Sequence, residues 1–245
     1  MKVVGMIPAR LESSRVPRKA LADIGGLPMM VHTCKRSQMA EYLDRVYLAT
    51  DSQEIKEVAE LHGIDVIMTG SHHKTGSDRL AEACQQIDCE IVVNIQGDEP
   101  LVYPEHIDAV VKPMLEDPTV QIAVGVTPFT KLNSPGDIKA VLDLQQDILY
   151  CSRNDIPLYY LQPFETMLKM CFIVPFRKSL LLQYTNWEPT PLELIEDNHF
   201  LRVIEHGVKI RTVRIEGAKI SVDTPEDLEE VREIMKNDLL KREYM

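Results

Sequence analysis

The chain has 245 residues, of which 44% are hydrophobic and 27% charged, and its formal net charge is -11, a composition that fits a globular enzyme with one sizeable core. No apolar run approaches the roughly 20 residues that a membrane-spanning helix needs, and no secretory signal pattern opens the chain. The acidic balance argues against a nucleic-acid surface, which normally needs an extended basic face. We therefore expect a cytoplasmic enzyme without a membrane or nucleic-acid partner.

The first half of the chain alternates predicted strands and helices. In chain order these segments are VVGMI, PMMVHTCKRSQMA, RVYLATD, EIKEVAELHG, DVIMT, SDRLAEACQQI and EIVVNIQGDEP. Short, nearly continuous apolar strands are typical of parallel strands that are covered on both faces. The pattern predicts an α/β fold with a doubly wound, mostly parallel, Rossmann-like sheet, and ligands are expected outside the carboxyl ends of its strands.

From about Thr127 the pattern changes. The predicted strands are AVGVTPFTKL, IKAVLDL, ILYCSR and MCFIVPF, and residues 154–166 are loop-like. A long helix is predicted from Leu192 to His206, closed by Gly207. We expect one domain, residues 1–245, with a smaller β-rich sub-domain inserted at roughly 127–166.

The last predicted elements are a strand pair and a helix. KIRTVRI and AKISVD precede the helix TPEDLEEVREIMKNDLL. Thr224 is a suitable N-cap and Pro225 suits the first helical position, with acidic residues in the first turn.

A basic loop, PARLESSRVPRKAL, follows the first strand of this acidic chain. Its cations are Arg10, Arg15, Arg18 and Lys19. Cations and hydroxyls in such a place suit a polyanion such as a triphosphate, although solvated surface cations would look the same in sequence. The chain has no GxxxxGK[ST] or GxGxxG motif, so phosphates would be held by side chains and a metal.

Two carboxylates are candidate metal ligands. Asp98 follows a strand directly in QGDEP, and Asp223 ends the segment KISVD. Mg2+ usually binds through one or two carboxylates plus substrate phosphates. A late strand returning to the sheet would bring Asp223 opposite Asp98. Taken singly, Asp98 also fits an ordinary turn, and Asp223 also fits a cap of the last helix.

Other chemical groups carry less information. The five cysteines are an odd, scattered set without a CxxC pair, which predicts neither a disulfide framework nor a zinc site. His72 and His73 lie in a polar loop with no third ligand nearby in the sequence, so we interpret them as surface residues.

Together these segments resemble the bacterial CMP-Kdo synthetases, the 3-deoxy-manno-octulosonate cytidylyltransferases. The matching segments, in the family's order, are IPARLESSRVPRKAL, GGLPMMVH, VYLATDSQEI, TGSDRLAEA, VNIQGDEP, LYCSRNDIP, YTNWEPTPLE, LRVIEHG and VDTPEDLEEV. The resemblance covers almost the whole chain. It implies a nucleotide-diphospho-sugar transferase fold, and a reaction in which the C2 hydroxyl of a 2-keto-3-deoxy sugar acid attacks the α-phosphorus of CTP.

The resemblance also implies roles for particular residues. The triphosphate would be held by Arg10, Arg15 and Lys19, with Ser13, Ser77, Arg79 and Gln96 around the nucleotide. Mg2+ would be bound by Asp98 and Asp223, which with Arg10 and Lys19 would form the catalytic group. The acceptor would meet Gln96, Arg153, Arg177, Glu193 and His199. The family is typically homodimeric, and the sub-domain at 127–166 would be the contact.

The acceptor half departs from the family pattern. Where the family has a strand like KHIGIYGYR, this chain has KMCFIVPFR, and His199 and Phe200 stand where the family carries an E-Q-L-R helix end. Replacing hydrogen-bonding groups by Phe172 and Val174 predicts fewer polar contacts to sugar hydroxyls.

Three alternatives therefore stand beside a Kdo-type reaction. One is the same chemistry on a less hydroxylated or modified acceptor acid. Another is a non-catalytic nucleotide-binding homologue, against which the intact Asp98 and Asp223 speak. A third is sugar-1-phosphate nucleotidylyl transfer, which usually has a glycine-rich loop where this chain has PARLESSR.

Overall fold

The structure of the chain is a computed structural model that describes residues 2–13, 15–73, 75–158, 161, 166–217 and 221–245. Within these ranges no helix has the length and apolar character needed to cross a membrane. The chain divides into two compact units, Met1–Asp108 with Lys219–Met245, and Ala109–Ala218. The segment 127–166 lies inside the second unit, and its role as an inserted dimer contact stays a prediction.

Strands and helices alternate through the first half of the chain, as the sequence predicts. The strands of the described residues are β1 (Val3–Ala9), β2 (Asp23–Ile24), β3 (Leu27–Pro28), β4 (Arg45–Thr50), β5 (Asp65–Met68), β6 (Ile91–Ile95), β7 (Ala123–Phe129), β8 (Lys139–Leu142), β9 (Ile148–Ser152), β10 (Met167–Cys171), β11 (Ile173–Arg177) and β12 (Arg211–Arg214). The helices are α1 (Met29–Ser37), α2 (Gln53–Leu61), α3 (Gly76–Gln85), α4 (Pro104–Glu116), α5 (Lys178–Tyr184), α6 (Pro191–Glu196), α7 (Phe200–Glu205) and α8 (Pro225–Lys236). Short 3-10 turns lie at Lys19–Leu21 and Leu240–Glu243.

The first unit holds parallel strands in the order β6-β1-β4-β5. Gly5 of β1 lies opposite Val46 of β4 on one side and Val93 of β6 on the other. The chain runs outward from β1 through β4 to β5 and then returns to the other side of β1, so its direction reverses between β1 and β6. Right-handed crossovers in the two directions place helices on opposite faces. The predicted doubly wound, mostly parallel fold is confirmed, and the reversal marks the carboxyl ends of β1 and β6 as the expected ligand site.

The second unit is built on a mixed sheet in the order β12-β7-β10-β8-β9. Only the β12–β7 pair among these is parallel. Val124 and Val126 of β7 are fully buried at its centre. The short antiparallel strands match the β-rich character that the sequence predicts for this part of the chain.

Two predicted elements are each interrupted. The helix predicted from Leu192 to His206 is two helices, α6 and α7, because Asp197 adopts a left-handed backbone with a φ of 47°. Its N–H donates to the carbonyl of Glu193 and closes α6. The predicted strand MCFIVPF is likewise divided, between β10 and β11, at Phe172.

The predicted start of the last helix is confirmed. Thr224 Oγ1 accepts a hydrogen bond from the N–H of Asp227, and Pro225 occupies the first turn. The predicted strand AKISVD lies partly at 218–220, outside the described residues.

The C-terminal segment packs against α1 through buried polar groups. His32 is fully buried, and its Nε2 lies 2.7 Å from the carbonyl oxygen of Ile24. Because a carbonyl only accepts, Nε2 carries the proton, and Nδ1 accepts from the Tyr244 hydroxyl at 2.8 Å. Burial lowers the pKa of His32 to about 4, assisted by the positive charges of Arg36 and Lys241.

His32 should make the protein sensitive to mild acid. The unfolded histidine keeps a pKa near 6.5, so its stabilising effect is complete above that pH and is lost as the pH falls toward 4. Between pH 7.5 and pH 5 the free energy of unfolding should fall by about 2 kcal/mol more in the native chain than in His32→Gln. Urea unfolding at both pH values measures this difference. His62→Gln, at the end of α2, is the control that should keep the native slope, and equal slopes for the native chain and His32→Gln would contradict the assignment.

Candidate active site

The carboxyl ends of β1 and β6 come close together where the strand order reverses. A Cβ atom on Gly97 would lie 2.8 Å from the backbone oxygen of Pro8, so a larger residue does not fit there without a shift of the backbone. A Cβ on Gly76, at the start of α3, would lie 3.2 Å from Pro8 Cγ. The loop after β1 and the turn after β6 therefore meet at one rim of the first unit, as the sequence predicts, and the start of α3 joins them there.

Lys19 joins the two carboxylates that the sequence predicts as metal ligands. Its Nζ donates to Asp98 Oδ2 at 2.6 Å and to the carbonyl oxygen of Val222 at 2.9 Å, and Asp223 Oδ1 lies 3.9 Å away. The side chains of Lys19 and Asp98 are 19% and 28% exposed, whereas that of Asp223 is 50% exposed. We call these three residues the Lys19 cluster. Its ammonium offsets the repulsion that two neighbouring carboxylates would otherwise feel.

The start of α8 fixes the position of Asp223. Asp227 Oδ2 accepts hydrogen bonds from the backbone N–H groups of Asp223, at 2.9 Å, and Thr224, at 2.7 Å. Burial opposes ionisation of Asp227, but these bonds outweigh it and lower the pKa of its carboxyl. The N–H of Val222 also donates to the carbonyl of Asp98 at 2.9 Å. Thr224 is thus the cap of the last helix, and the carboxylate of Asp223 is directed to the cluster instead.

The cations of the basic loop have different partners. Arg15 Nη2 donates to Asp223 Oδ1 at 2.8 Å, so it adds a second positive charge to the same carboxylate. Arg18 pairs with Glu54 on the surface. Arg10 is exposed and follows the last residue of β1 directly. The loop therefore supplies positive charge to the rim without Arg18.

Arg79 of α3 is buried, with 5% of its surface exposed. Its Nη1 donates to Thr69 Oγ1 at 2.6 Å and lies 3.2 Å from Asp51 Oδ1. Thr69 follows β5 and Asp51 follows β4, so this guanidinium holds the ends of two neighbouring strands together. Asp51 compensates its charge.

The other predicted nucleotide-binding residues, Ser13, Ser77 and Gln96, are half-buried. Gln96 Nε2 donates to Asn94 Oδ1 at 3.4 Å, at the end of β6. Each lies on a segment that reaches the rim, and the whole predicted nucleotide set lies in the first unit. The predicted acceptor residues other than Gln96 lie in the second unit.

Glu193 is the centre of a buried polar network in the second unit. Only 4% of its side chain is exposed. Arg202 donates to its two carboxylate oxygens from Nε and Nη2, each at 2.6 Å, and His199 Nδ1 lies 2.8 Å from Oε1. Burial opposes ionisation, but the bonds from Arg202 and His199 lower the pKa of Glu193. The His199 ring is 52% exposed, so it presents this network to solvent.

Arg153 is held mainly by backbone oxygens. Its guanidinium donates to the carbonyls of Glu196 at 2.8 Å, Pro135 at 3.0 Å and Asp197 at 2.8 Å. Burial opposes ionisation of Glu196, but bonds from the Arg153 N–H and the Ser152 hydroxyl outweigh it and lower the pKa of its carboxyl. Arg153 thus holds the loop structure together, while its side chain stays 33% exposed.

Arg177 also binds the backbone. Its Nε donates to the carbonyl of Val120 at 3.2 Å, and Nη2 donates to that of Met114 at 2.7 Å. These bonds tie the end of β11 to the last turn of α4 and to the segment after it. An acceptor would have to compete with them.

The acceptor positions at which this chain departs from the family pattern differ in burial. Phe172 and Phe200 are half-buried, and their rings stack with centroids 6.2 Å apart. Val174 is 2% exposed and belongs to the core. Of these substitutions, only the two phenylalanines therefore place apolar side chains at the surface.

Three polar residues of these networks are absent from the sequence prediction, namely Arg202, Glu196 and Asp227. The pairing of Arg202 with Glu193 was not predicted, because a continuous helix would keep the two side chains apart. Asp227 could have been found, since it lies three residues after the predicted N-cap Thr224, where a capping-box acid is expected.

Comparison with known proteins places this arrangement in a family. A family model described as cytidylyltransferase matches residues 4–210. The chain belongs to the cytidylyltransferase family. It is a nucleotidyltransferase, and the resemblance of its motifs is confirmed.

This cytidylyltransferase is similar to curated relatives named 3-deoxy-manno-octulosonate cytidylyltransferase. That of Chlorobium phaeobacteroides (strain BS1) is 40% identical over 245 residues, 98% of this chain and 99% of the relative. That of Geobacter metallireducens is 38% identical over 247 residues, 95% of this chain and 97% of the relative.

Among solved structures, a CMP:2-keto-3-deoxy-manno-octonic acid synthetase complexed with CTP matches with a TM-score of 0.95 and 33% identity. The match covers 98% of this cytidylyltransferase and 100% of that chain. A cytidylyltransferase from Leptospira borgpetersenii matches in fold, with a TM-score of 0.67 and 18% identity.

Proposed function

We propose that this cytidylyltransferase couples CTP to the C2 hydroxyl of 3-deoxy-manno-octulosonate (Kdo) or a close relative, giving a CMP-sugar and pyrophosphate. The observation that carries the proposal is the Lys19 cluster, at the rim where the strand order reverses and beside the basic loop. Relatives that match over nearly their full length are named for 3-deoxy-manno-octulosonate, and this supports Kdo as the acceptor.

The first unit supplies the positive charge that the reaction needs. Arg10, Arg15 and Lys19 would hold the triphosphate, and Arg79, with the polar residues at the rim, would lie by the nucleoside. In the reaction the acceptor oxygen bonds to the α-phosphorus, the bond from that phosphorus to the leaving pyrophosphate oxygen breaks, and the hydroxyl proton passes to water. Such in-line transfer depends on positioning and charge stabilisation more than on a covalent partner.

Mg2+ is the cofactor that we propose, and Asp98 and Asp223 would hold it. Their oxygens are the hard ligands that Mg2+ prefers. Both carboxylates already converge on one cationic group, the Lys19 ammonium, so the donor set fits a positive ion. When bound, Mg2+ neutralises phosphate charge.

On the acceptor side we propose roles for Gln96, Arg153, Glu193 and His199. His199 is the exposed member of the buried Glu193 network, and its bond to Glu193 orients the ring. Arg153 keeps partial exposure and can meet a carboxylate. The carbonyl bonds of Arg177 favour a positioning role for that residue.

The stacked pair Phe172 and Phe200 favours a second candidate, the same transfer to a less hydroxylated or modified acid. Apolar rings do not hydrogen-bond hydroxyls, so an acceptor with fewer hydroxyls there leaves fewer polar groups unpaired. Equal or faster turnover with Kdo than with every such analogue would count against it.

We also propose that the protein is cytoplasmic and that it forms a homodimer through residues 127–166. The exposed Leu132, Leu144, Leu149 and Leu158 lie in that segment, which supports an apolar contact. Light scattering after size-exclusion chromatography measures the mass in solution, and a monomer at micromolar concentration would contradict the dimer.

The deciding experiment is release of pyrophosphate from CTP with Mg2+. Kdo, amino-Kdo, a nonulosonic acid and shorter 2-keto-3-deoxy acids are the acceptors, with UTP and ATP as base controls. Fast release with CTP and Kdo is the expected result. Release with another acceptor alone would favour the second candidate, and CTP binding without release for any acceptor would indicate a non-catalytic protein.

Arg10→Ala should raise the KM for CTP by about tenfold, because one charge-assisted contact to phosphate is removed from an exposed position at the rim. Steady-state kinetics at saturating acceptor measure it. Arg45→Ala, at the opposite end of the sheet, is the matched control and should leave the KM unchanged. Native kinetics in Arg10→Ala would remove the residue from the nucleotide site.

A further inference from the structure

The loop between β5 and α3 brings two histidines against a carboxylate of α3. His72, His73 and Glu82 each offer one ligand atom, and these atoms all lie within 4.8 Å of one another. His73 Nε2 is hydrogen-bonded to Glu82 Oε2, and the two imidazole rings have centroids 4.3 Å apart. The interpretation as surface residues holds for the exposed His72, but the expectation that no third ligand lies nearby is wrong, because Glu82 of α3 supplies one. This group lies apart from the Lys19 cluster in the chain and shares no residue with it.

Gly70 holds two of these ligands in place. Its N–H donates to both carboxylate oxygens of Glu82, at 3.2 Å and 3.0 Å. A Cβ atom on Gly70 would lie 2.5 Å from Nδ1 and Cε1 of His72, so the histidine ring occupies the space that a larger residue would fill. One glycine thus orients the carboxylate through its backbone and accommodates the imidazole through its missing side chain.

Helix α3, which follows the loop, has a well-capped N-terminus. Thr75 and Asp78 form a capping box, in which each side chain accepts a hydrogen bond from the other residue's backbone N–H. Glu82 therefore projects from a capped helix, and the two histidines come just before its N-cap. A ligand on a regular helix gives a metal site a fixed reference point.

We propose that His72, His73 and Glu82 form a binding site for a borderline divalent cation such as Zn2+. Two imidazole nitrogens and one carboxylate oxygen, with a fourth position open to water, are a ligand set that Zn2+ uses. Tetrahedral bonds of about 2.1 Å place ligand atoms about 3.4 Å apart. The exposed His72 side chain can close the remaining distance by rotation. The cation takes the place of the hydrogen bond between His73 and Glu82.

The donor chemistry separates this site from the proposed Mg2+ site. Imidazole suits Zn2+, Cu2+ and Ni2+, whereas the all-oxygen pair Asp98 and Asp223 suits Mg2+. Cys34 and Cys151 do not compete, since burial raises the pKa of Cys34 to about 12 and that of Cys151 to about 11. Binding of Zn2+ at this site does not depend on the proposed transfer reaction.

Occupancy would fasten the loop to α3. The carbonyl of Gly70 lies 3.5 Å from Arg79 Nη1, so the fastened loop includes a contact of the buried arginine at the rim. A cation that binds the folded state and not the unfolded chain raises the midpoint of thermal unfolding. Stabilisation by Zn2+ is thus a readout independent of activity.

The test is calorimetric titration of the full chain with Zn2+, without nucleotide and with excess Mg2+ to occupy the oxygen sites. We expect one Zn2+ per chain and a rise in the melting temperature. His72→Ala, His73→Ala and Glu82→Gln should each weaken binding by more than about 100-fold and abolish the rise. His62→Ala is the control histidine and should bind as the native chain does. Co2+ should give the intense visible absorption of a tetrahedral site in the native chain and in His62→Ala, but not in the three ligand variants.

Gly70→Ala distinguishes this geometry from nonspecific binding to adjacent histidines. It keeps all three ligands but displaces the His72 ring, so the affinity should fall by about tenfold. Far-ultraviolet circular dichroism checks that each variant folds. Binding of native stoichiometry and affinity in the Glu82→Gln and His72→Ala variants, or no binding to the native chain, would overturn the proposal.

Discussion

Asp98→Asn should lower kcat for pyrophosphate release by about 1,000-fold, the scale of losing one preorganised charge-stabilising group. The substitution preserves shape but removes a charge that Lys19 contacts at 2.6 Å. The Lys19 ammonium would then lie beside an amide, and Asp223 would be the remaining carboxylate of the pair. Initial rates across a Mg2+ titration measure the effect, and the Mg2+ dependence should shift to higher concentration.

Asp65→Asn is the matched control for this loss. Asp65 begins β5 and pairs with Arg45 on an exposed surface, so its substitution should leave kcat within about twofold. A kcat for Asp98→Asn within tenfold of the native value, in a protein that still melts at the native temperature, would remove Asp98 from the catalytic group.

Arg202→Met should destabilise the second unit by about 3–5 kcal/mol, because it leaves Glu193 buried without its main partner. Two hydrogen bonds of 2.6 Å are lost, and so is the contact of the guanidinium with the Tyr184 ring at 4.7 Å. Urea unfolding followed by the fluorescence of Trp187 reports this unit directly. The midpoint should move to lower urea with an unchanged slope.

Two further variants make the Arg202 result specific. Lys236→Met breaks an exposed pair with Glu233 on α8, and it should cost less than about 0.5 kcal/mol. Adding Glu193→Gln to Arg202→Met removes the uncompensated charge, so the double variant should recover part of the loss. No recovery in the double variant would mean that packing, not the buried charge, dominates.

The rim of the first unit could be predicted from sequence because it follows from local rules. Apolar strands alternating with helices determine a parallel sheet, and Asp98 comes directly after a strand in the linear sequence. Gly97 lets that strand end approach Pro8, a close contact whose glycine is visible in QGDEP. Thr224 was predictable for the same reason, since a helix cap depends on its nearest neighbours.

Apart from the approach of Asp223 to Asp98, contacts between residues far apart in the sequence were outside the reach of such rules. The bond between Lys19 and the carbonyl of Val222 joins residues 203 positions apart, and nothing local selects Lys19 over the other cations of its loop. The sequence prediction also omits α4, which contains Pro113 at a position where proline removes a helical hydrogen bond.

The Glu193 network was not predicted from the sequence, for a definite geometric reason. Glu193 and Arg202 are nine residues apart, and in a continuous helix about 2.5 turns would place them on opposite faces. The left-handed turn at Asp197 reverses the chain between two short helices and brings them together. A non-glycine residue in that conformation is not apparent from composition.

The first unit is made of both ends of the chain, Met1–Asp108 and Lys219–Met245. On the ribosome, Lys19 and Asp98 emerge long before Asp223, with the whole second unit synthesised between them. A nascent chain therefore carries two of the three residues of the Lys19 cluster and gains its second carboxylate only when the last segment docks. Premature termination anywhere in the second unit leaves a product without the paired carboxylates, so the Lys19 cluster is completed only near the end of translation.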